Sequence, residues 1–113
     1  MTPFDVVLVP FPFADLSTTK KRPCLVLATF KARSLGLYAT VAMITSNASA
    51  LKFPHDVDIE DLSESGLPLP SVVRLAKVVT LEGALVIKKL GKLGMRDQKA
   101  VRSEFRKLFS ELV

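Results

Sequence analysis

The chain has 113 residues, enough to bury a core of its own, and 49% of them are hydrophobic and 24% charged. This composition is typical of a globular protein and excludes a disordered one, so we expect a single domain spanning residues 1–113. The net charge of +5 favours a polyanionic partner such as nucleic acid, although many basic proteins of this size bind none.

Several classes of site are excluded by what the sequence lacks. A single cysteine cannot form an internal disulfide, and with a single histidine the chain cannot supply the Cys and His ligands of a zinc site. The first residues lack the basic head of a signal peptide, and no apolar run reaches the ~18 residues that a membrane span needs. We therefore expect a soluble, cytoplasmic protein without a zinc site, a cofactor or a membrane partner. A carboxylate-held Mg²⁺ site stays open as an alternative, although no paired-Asp motif stands out in the sequence.

Short strands are predicted along most of the chain. Apolar and β-branched runs, bounded by segments rich in Gly, Pro, Ser and Asp, predict strands at residues 6–9, 24–30, 38–45, 55–59, 71–80 and 84–87. The polar segments at residues 14–21, 31–36, 46–51 and 62–70 are predicted to be loops or turns. Strands of this length at close spacing are typical of a small closed or half-closed barrel.

The end of the chain has a helical pattern instead. From residue 96 onward, apolar residues recur at Val101, Phe105, Leu108 and Leu112, which places them on one face of a helix. Asp97 near the start of this segment suits the positive end of a helix dipole. The predicted fold class is therefore mainly β, a small barrel followed by a C-terminal helix.

A basic run precedes the second predicted strand. Lys20, Lys21 and Arg22 are either a phosphate-binding group or an ordinary solvated turn. Arginine suits the first role because its guanidinium makes two forked hydrogen bonds to phosphate oxygens and stays charged. Pro23 biases Arg22 towards an extended backbone, which stiffens this junction.

Hydroxyl and aromatic side chains stand near the ends of two other predicted strands. Thr45 and Ser46 either orient a phosphate or a ribose 2′-OH, or form a hydrogen-bonded turn. If the second and third strands pair, these hydroxyls converge with Arg22. Phe11 and Phe13 stand next to prolines and either stack on nucleobases or belong to the core.

Three further residues have an ordinary and a functional interpretation. Arg74 lies in an apolar strand, so it must find a partner or point to solvent. His55 is more often a surface or hydrogen-bonded histidine than a catalyst. Cys24 lies in an apolar run, which favours a reduced core thiol over a nucleophile.

Six short motifs, each weak by itself, follow one another between residues 4 and 93. They are DVVLVPF at residues 5–11, KRPCLVL at 21–27, MITS at 43–46, GL at 66–67, SVVR at 71–74 and TL at 80–81. In this order they resemble the PemK/MazF-like toxins of type II toxin–antitoxin modules. The resemblance implies an SH3-like β-barrel with a C-terminal helix, a homodimer, and metal-independent, sequence-specific cleavage of single-stranded RNA. It also implies a cognate acidic antitoxin that covers the RNA site, and a toxin–antitoxin complex that binds DNA.

The resemblance assigns roles to individual positions. It places the catalytic residues at Arg22 and Thr45 and an acid or phosphate ligand at Arg74. The remaining substrate-binding candidates are Lys20, Lys21, Ser46, Phe13 and Asp15.

This chain departs from the family pattern near Arg74. Some members have an Asp-Gln pair two residues beyond this arginine, where this chain has Ala76 and Lys77, and the Gly before the first Asp is Phe4 here. In some members the Asp of that pair is a proposed general base, so this chain must either use another base or be a poor nuclease. Asp15 is a candidate because a carboxylate beside an arginine stays ionised. Two alternatives stay open: a barrel that binds RNA or protein without cutting, and a degenerate toxin that only binds its antitoxin.

Overall fold

The computed structural model describes residues 1–11, 20–46 and 52–113. These residues form one antiparallel sheet with the strand order β4-β5-β3-β2-β1-β6. The elements are β1 (Asp5–Pro10), β2 (Lys21–Lys31), β3 (Leu37–Thr45), β4 (Asp56–Asp58), α1 (Leu62–Ser65), β5 (Val72–Glu82), β6 (Lys88–Lys92) and α2 (Met95–Leu108). The mainly β fold class with a C-terminal helix is thereby confirmed.

The centre of the sheet is buried on both faces, which explains the continuous apolar runs in its central strands. Successive side chains of a strand point to opposite faces, so Val6 and Leu25 belong to one core cluster and Val7 and Cys24 to another. The first cluster also contains Val101, through which α2 covers this side of the sheet. Three pairs of strands contain a register shift, and such bulges bend a sheet.

The short helix α1 brings the two edges of the sheet together. It follows β4, which lies at one edge, and it packs against β6 at the other. Gly66 ends α1 at φ +73°, and a Cβ at this position would overlap the carbonyl oxygen of Leu90. A Cβ at Gly91 would lie 2.6 Å from the carbonyl carbon of Ser65. The contact that closes the barrel is thus made backbone to backbone.

Two predictions about the connections were wrong. The predicted loop at residues 62–70 contains α1, whose Ser65 hydroxyl donates to the Leu62 carbonyl. The predicted sixth strand at residues 84–87 is instead a 3-10 turn, Gly83–Leu85, and an extended link, and the strand follows at Lys88–Lys92. Its sequence KKLGK looks like a loop, but Lys89 and Lys92 each place Nζ near the buried Asp5 carboxylate, at 3.3 Å and 3.1 Å from Oδ1.

The C-terminal helix was predicted correctly, and two of its four predicted apolar residues, Val101 and Leu108, pack in or against the core. It ends at Leu108, so Leu112 lies beyond it, and Phe105 is 43% exposed. Its buried residues include Asp97, whose carboxylate accepts the backbone N–H groups of Glu60 and Asp61, both at 2.9 Å. Asp97 thus ties α2 to the segment between β4 and α1. Neither helix in the described part of the chain is long and apolar enough to cross a bilayer.

Candidate functional site

A groove with a volume of about 1010 Å³ gathers several of the predicted site residues. Arg22, Thr45, Ser46 and Arg74 all line it, together with Phe11. These side chains come from β2, the end of β3, β5 and the residue after β1. The structure therefore brings together positions that are far apart in the sequence, as the expected pairing of the second and third strands requires.

Strand register explains why these side chains share a face. Cys24 on β2 pairs with Met43 on β3, and Met43 pairs on its other side with Arg74 on β5. Arg22 comes two residues before Cys24, and Thr45 comes two residues after Met43. In antiparallel strands, positions two apart point to the same face, so this register carries Arg22 to a position across from Thr45.

Arg22 is an exposed cation beside an aromatic ring. Its guanidinium carbon lies 5.6 Å from the centroid of the Phe11 ring, within the range of a cation–π contact. The N–H of Phe11 donates to the carbonyl of Lys20 at 2.9 Å, which extends the pairing of β1 and β2 and fixes Phe11 beside Arg22. Lys20 and Lys21 are both exposed at the start of β2. Arg22 thus presents its charge to solvent from the end of a rigid strand.

Arg74 is held by a buried acid that the sequence analysis missed. Its Nε and Nη2 donate to Oδ1 and Oδ2 of Asp56 at 3.1 Å and 3.0 Å, in the bidentate geometry that an arginine makes with a carboxylate. Only 17% of the Arg74 side chain and 3% of the Asp56 side chain are exposed. Burial opposes ionisation of Asp56, but hydrogen bonds from Arg74 and from the Phe53 backbone outweigh it and lower the pKa of this carboxyl.

A second aromatic ring, Phe53, lies against Arg74 and Lys77. The centroid of the Phe53 ring is 5.5 Å from the guanidinium carbon of Arg74 and 6.0 Å from Nζ of Lys77. The Phe53 N–H donates to Oδ2 of Asp56 at 2.9 Å, so one carboxylate orients both the ring and the arginine. The need of Arg74 for a partner is visible in the sequence, but the identity of that partner depends on the pairing of β4 with β5.

The charged residues in the described lining of the groove are all cations. Its described lining includes Arg22, Arg74, Lys77 and Lys88, and no Asp or Glu. Lys77 and Lys88 were not predicted as site residues. This charge distribution suits a polyanion such as a nucleic acid backbone or an acidic peptide.

Two of the predicted substrate-binding residues, Phe13 and Asp15, lie outside the described residues. Their assignments therefore stay predictions. Among the residues that the structure does describe, no group of three or more His, Cys, Asp or Glu side chains is placed to hold a metal ion.

The ordinary interpretations of His55 and Cys24 are confirmed. His55 Nδ1 lies 2.7 Å from Oε2 of Glu104 on α2, and the imidazole is not among the groups lining the groove. Cys24 is fully buried, and burial raises the pKa of its thiol to about 12, so it is a protonated core side chain rather than a nucleophile.

Comparison with known proteins identifies the family. Residues 2–109 match the PemK-like, MazF-like toxin of type II toxin–antitoxin systems. The chain belongs to this family. No curated protein is significantly similar to it in sequence. The described groove therefore lies in a toxin domain whose family model covers all of the residues that line it.

Solved structures share the same fold at low identity. The Mycobacterium tuberculosis toxin MazF-mt6 is 22% identical, with 94% of this chain and 96% of that chain covered and a TM-score of 0.70. MazF from Deinococcus radiodurans is 19% identical, with 97% and 96% covered and a TM-score of 0.69. The MazE–MazF structure from the same organism is also 19% identical, with 96% and 94% covered and a TM-score of 0.70. These PemK/MazF-like neighbours confirm the SH3-like barrel with its C-terminal helix.

Proposed function

We propose that this toxin is an endoribonuclease that cleaves single-stranded RNA at specific sequences without a metal ion. The observation that carries the proposal is the convergence of Arg22 and Thr45, on adjacent strands, in a groove whose described charged residues are all cations. The family resemblance assigns catalysis to these two positions. The MazF-like solved structures include one described as an endoribonuclease in complex with its cognate antitoxin, which supports the same activity here.

The proposed reaction uses the RNA itself as the nucleophile. The ribose 2′-oxygen attacks the adjacent phosphorus and gives its proton to a base. The bond from phosphorus to the 5′-oxygen breaks, and the 5′-oxygen takes up a proton. The products are a 2′,3′-cyclic phosphate and a 5′-hydroxyl, and DNA, which lacks the 2′-OH, is not a substrate.

Arg22 supplies charge stabilisation in this scheme. The attacked phosphorus gains negative charge on its oxygens, and a fixed cation beside it is worth about 3–4 kcal/mol, as for the loss of one oxyanion donor. An arginine stays protonated in proteins, so Arg22 cannot act as the base. Its exposed guanidinium leaves it accessible to a phosphate that enters the groove.

Thr45 and Arg74 complete the arrangement. The Thr45 hydroxyl holds the 2′-OH or a phosphate oxygen in line, which is positioning rather than proton transfer. Arg74 provides a second cation on β5, Ser46 contacts the RNA next to Thr45, and Lys20 and Lys21 contact it outside the groove, next to Arg22. Because the described lining holds no carboxylate, Asp15 is kept as the proposed base and Phe13 as a proposed contact of the RNA.

The test of this function is cleavage of a mixed-sequence RNA in excess chelator, with the ends mapped. We expect cuts at a recurring sequence that leave 2′,3′-cyclic phosphate and 5′-hydroxyl ends. The Arg22→Ala protein, purified in the same way, controls for a contaminating ribonuclease. Cutting that stops in chelator and returns with Mg²⁺ contradicts the metal-independent mechanism, and RNA that is bound but never cut supports a non-catalytic barrel instead.

We propose that an acidic antitoxin binds the same groove, and that the toxin is a homodimer that forms a DNA-binding complex with it. The neighbouring MazE–MazF structure supports an antitoxin partner. A disordered acidic tail can place carboxylates where RNA phosphates would lie. It loses conformational entropy when it becomes ordered on binding. The antitoxin then inhibits by competition for the groove cations.

If the antitoxin and RNA compete for the groove, RNA cleavage and antitoxin binding should both depend on Arg22. We expect the toxin–antitoxin complex to cut RNA far more slowly than the free toxin, and Arg22→Ala to weaken antitoxin binding. Lys31→Ala is the matched control, because Lys31 is an exposed cation at the opposite end of the same strand. Isothermal titration with the purified antitoxin measures both variants, and equal affinity of Arg22→Ala and the unmodified toxin would rule out the shared surface.

A further inference from the structure

Asp56 is a buried carboxylate to which the family resemblance gives no role. It lies on β4 directly across from Arg74 on β5. Its two oxygens accept three hydrogen bonds: two from the Arg74 guanidinium, at 3.1 Å and 3.0 Å, and one from the Phe53 N–H, at 2.9 Å. With 3% of its side chain exposed, Asp56 is the innermost member of this cluster.

The energetics of the Asp56–Arg74 ion pair indicate that it orients Arg74 rather than stabilises the fold. Removing two charges from water is costly, and the attraction between the ions rarely exceeds that cost. A bidentate contact does, however, fix the plane and direction of a guanidinium. Arg74 is 17% exposed and lines the groove, so the orientation that Asp56 imposes on it is the orientation presented to a ligand.

The source of this carboxylate differs from the family pattern. In some members an Asp stands two residues beyond the arginine on the same strand, and here that position is Ala76. In this chain an acid near Arg74 comes from the neighbouring strand β4.

We propose that Asp56 is a positioning residue, which holds Arg74 in the orientation that binds the phosphate of the RNA substrate. This inference rests on the proposed function, because it requires that Arg74 contacts RNA. Asp56 does not itself take the proton of the 2′-OH, since its oxygens are occupied by three donors and it does not line the groove.

The electrostatics of the pair agree with that role. Burial raises the pKa of Asp56, but the hydrogen bonds from Arg74 and Phe53 outweigh it, so the pKa lies below its ordinary value. Asp56 therefore remains ionised throughout the neutral range. It holds Arg74 equally well across that range and adds no titration to the pH profile of cleavage.

The test is a double-mutant cycle of Asp56→Asn, Arg74→Ala and both together. Single-turnover cleavage is measured for each protein, with RNA affinity on an oligonucleotide made uncleavable by a 2′-deoxy sugar, and folding followed by thermal melting. We expect Asp56→Asn to slow cleavage about 10- to 100-fold, as for a misplaced positioning group. We expect the double variant to be no slower than Arg74→Ala, because Asp56 has nothing left to position.

Two outcomes overturn the proposal: Asp56→Asn cuts RNA at the rate of the unmodified protein, or the losses of the two single variants multiply in the double variant. If Asp56→Asn does not fold, Asp56→Ser decides, because serine removes the carboxylate that holds Arg74 but keeps an acceptor oxygen on the side chain. Its full activity would overturn the inference, and a loss as large as that of Arg74→Ala would support it.

A toxin that cuts no RNA contradicts the proposed function separately. The affinity measurement then still tests the pair. Positioning is supported if Asp56→Asn binds uncleavable RNA more weakly than the unmodified toxin does, and if the double variant binds it as tightly as Arg74→Ala does. Unchanged binding by Asp56→Asn overturns it.

Discussion

Arg22→Ala is expected to slow RNA cleavage by a factor of about 10²–10³, the loss seen when one charge-stabilising donor is removed. Arg22 is exposed at the start of β2, and its described neighbour is the Phe11 ring, so no core packing is lost. The melting temperature should therefore change little, as for other surface substitutions. Single-turnover cleavage and thermal melting of the same preparation separate the two effects.

Two further variants sharpen this prediction. Arg22→Lys should also be slow, because a point charge cannot make the forked contact that an arginine makes to two phosphate oxygens. Lys31→Ala, at the far end of β2, removes an exposed cation outside the groove and should cut normally. If Arg22→Ala cuts at the rate of the unmodified toxin, the assignment of the site to this groove is wrong.

The largest effect on folding is expected from Gly66→Ala. The left-handed backbone at φ +73° is strained for alanine, and the added Cβ would overlap the carbonyl oxygen of Leu90 in β6. Strain and overpacking together should lower the free energy of unfolding by about 3–5 kcal/mol, a large part of the stability of a domain this size. Urea unfolding measures this loss directly.

Gly36→Ala is the matched control for backbone strain without a clash. Gly36 also has a positive φ, +92°, but no atom lies within 4 Å of a Cβ built there. Its substitution should cost about 1–3 kcal/mol, the range for a residue held in an unfavourable backbone region. A loss at Gly66 no greater than that at Gly36 would show that the contact of α1 with β6 does not close the barrel.

The central strands were predictable because their residues carry the pattern themselves. Most of the apolar run at 6–9 is buried, and so are Cys24, Leu25 and Val26 at the start of the run at 24–30, so composition alone indicates β1 and β2. Strand β6 could not be found in this way. Its lysines are acceptable in a strand because β6 lies at a sheet edge and because two of them form ion pairs with Asp5 at the start of β1.

The groove, too, has one part that could be predicted from the sequence and one part that depends on how the strands pair. The convergence of Arg22 with Thr45 followed from a single assumption, that the second and third strands pair. The partnership of Arg74 with Asp56 depends on the register of a three-residue strand and on a bulge next to Met43, and neither leaves a periodic trace in the sequence. Lys88 reaches the groove from β6, so it was missed together with its strand.

The measurement that tests the central claim most directly uses two RNA oligonucleotides that differ at one atom. Each contains the sequence that the toxin cuts, and one carries a 2′-deoxy sugar immediately 5′ to the scissile phosphate. In excess chelator, we predict rapid cutting of the all-ribose strand to a 2′,3′-cyclic phosphate and no cutting of the substituted strand, although both bind the groove. Equal cutting of the two strands would contradict attack by the 2′-OH, and with it the roles proposed for Arg22 and Thr45.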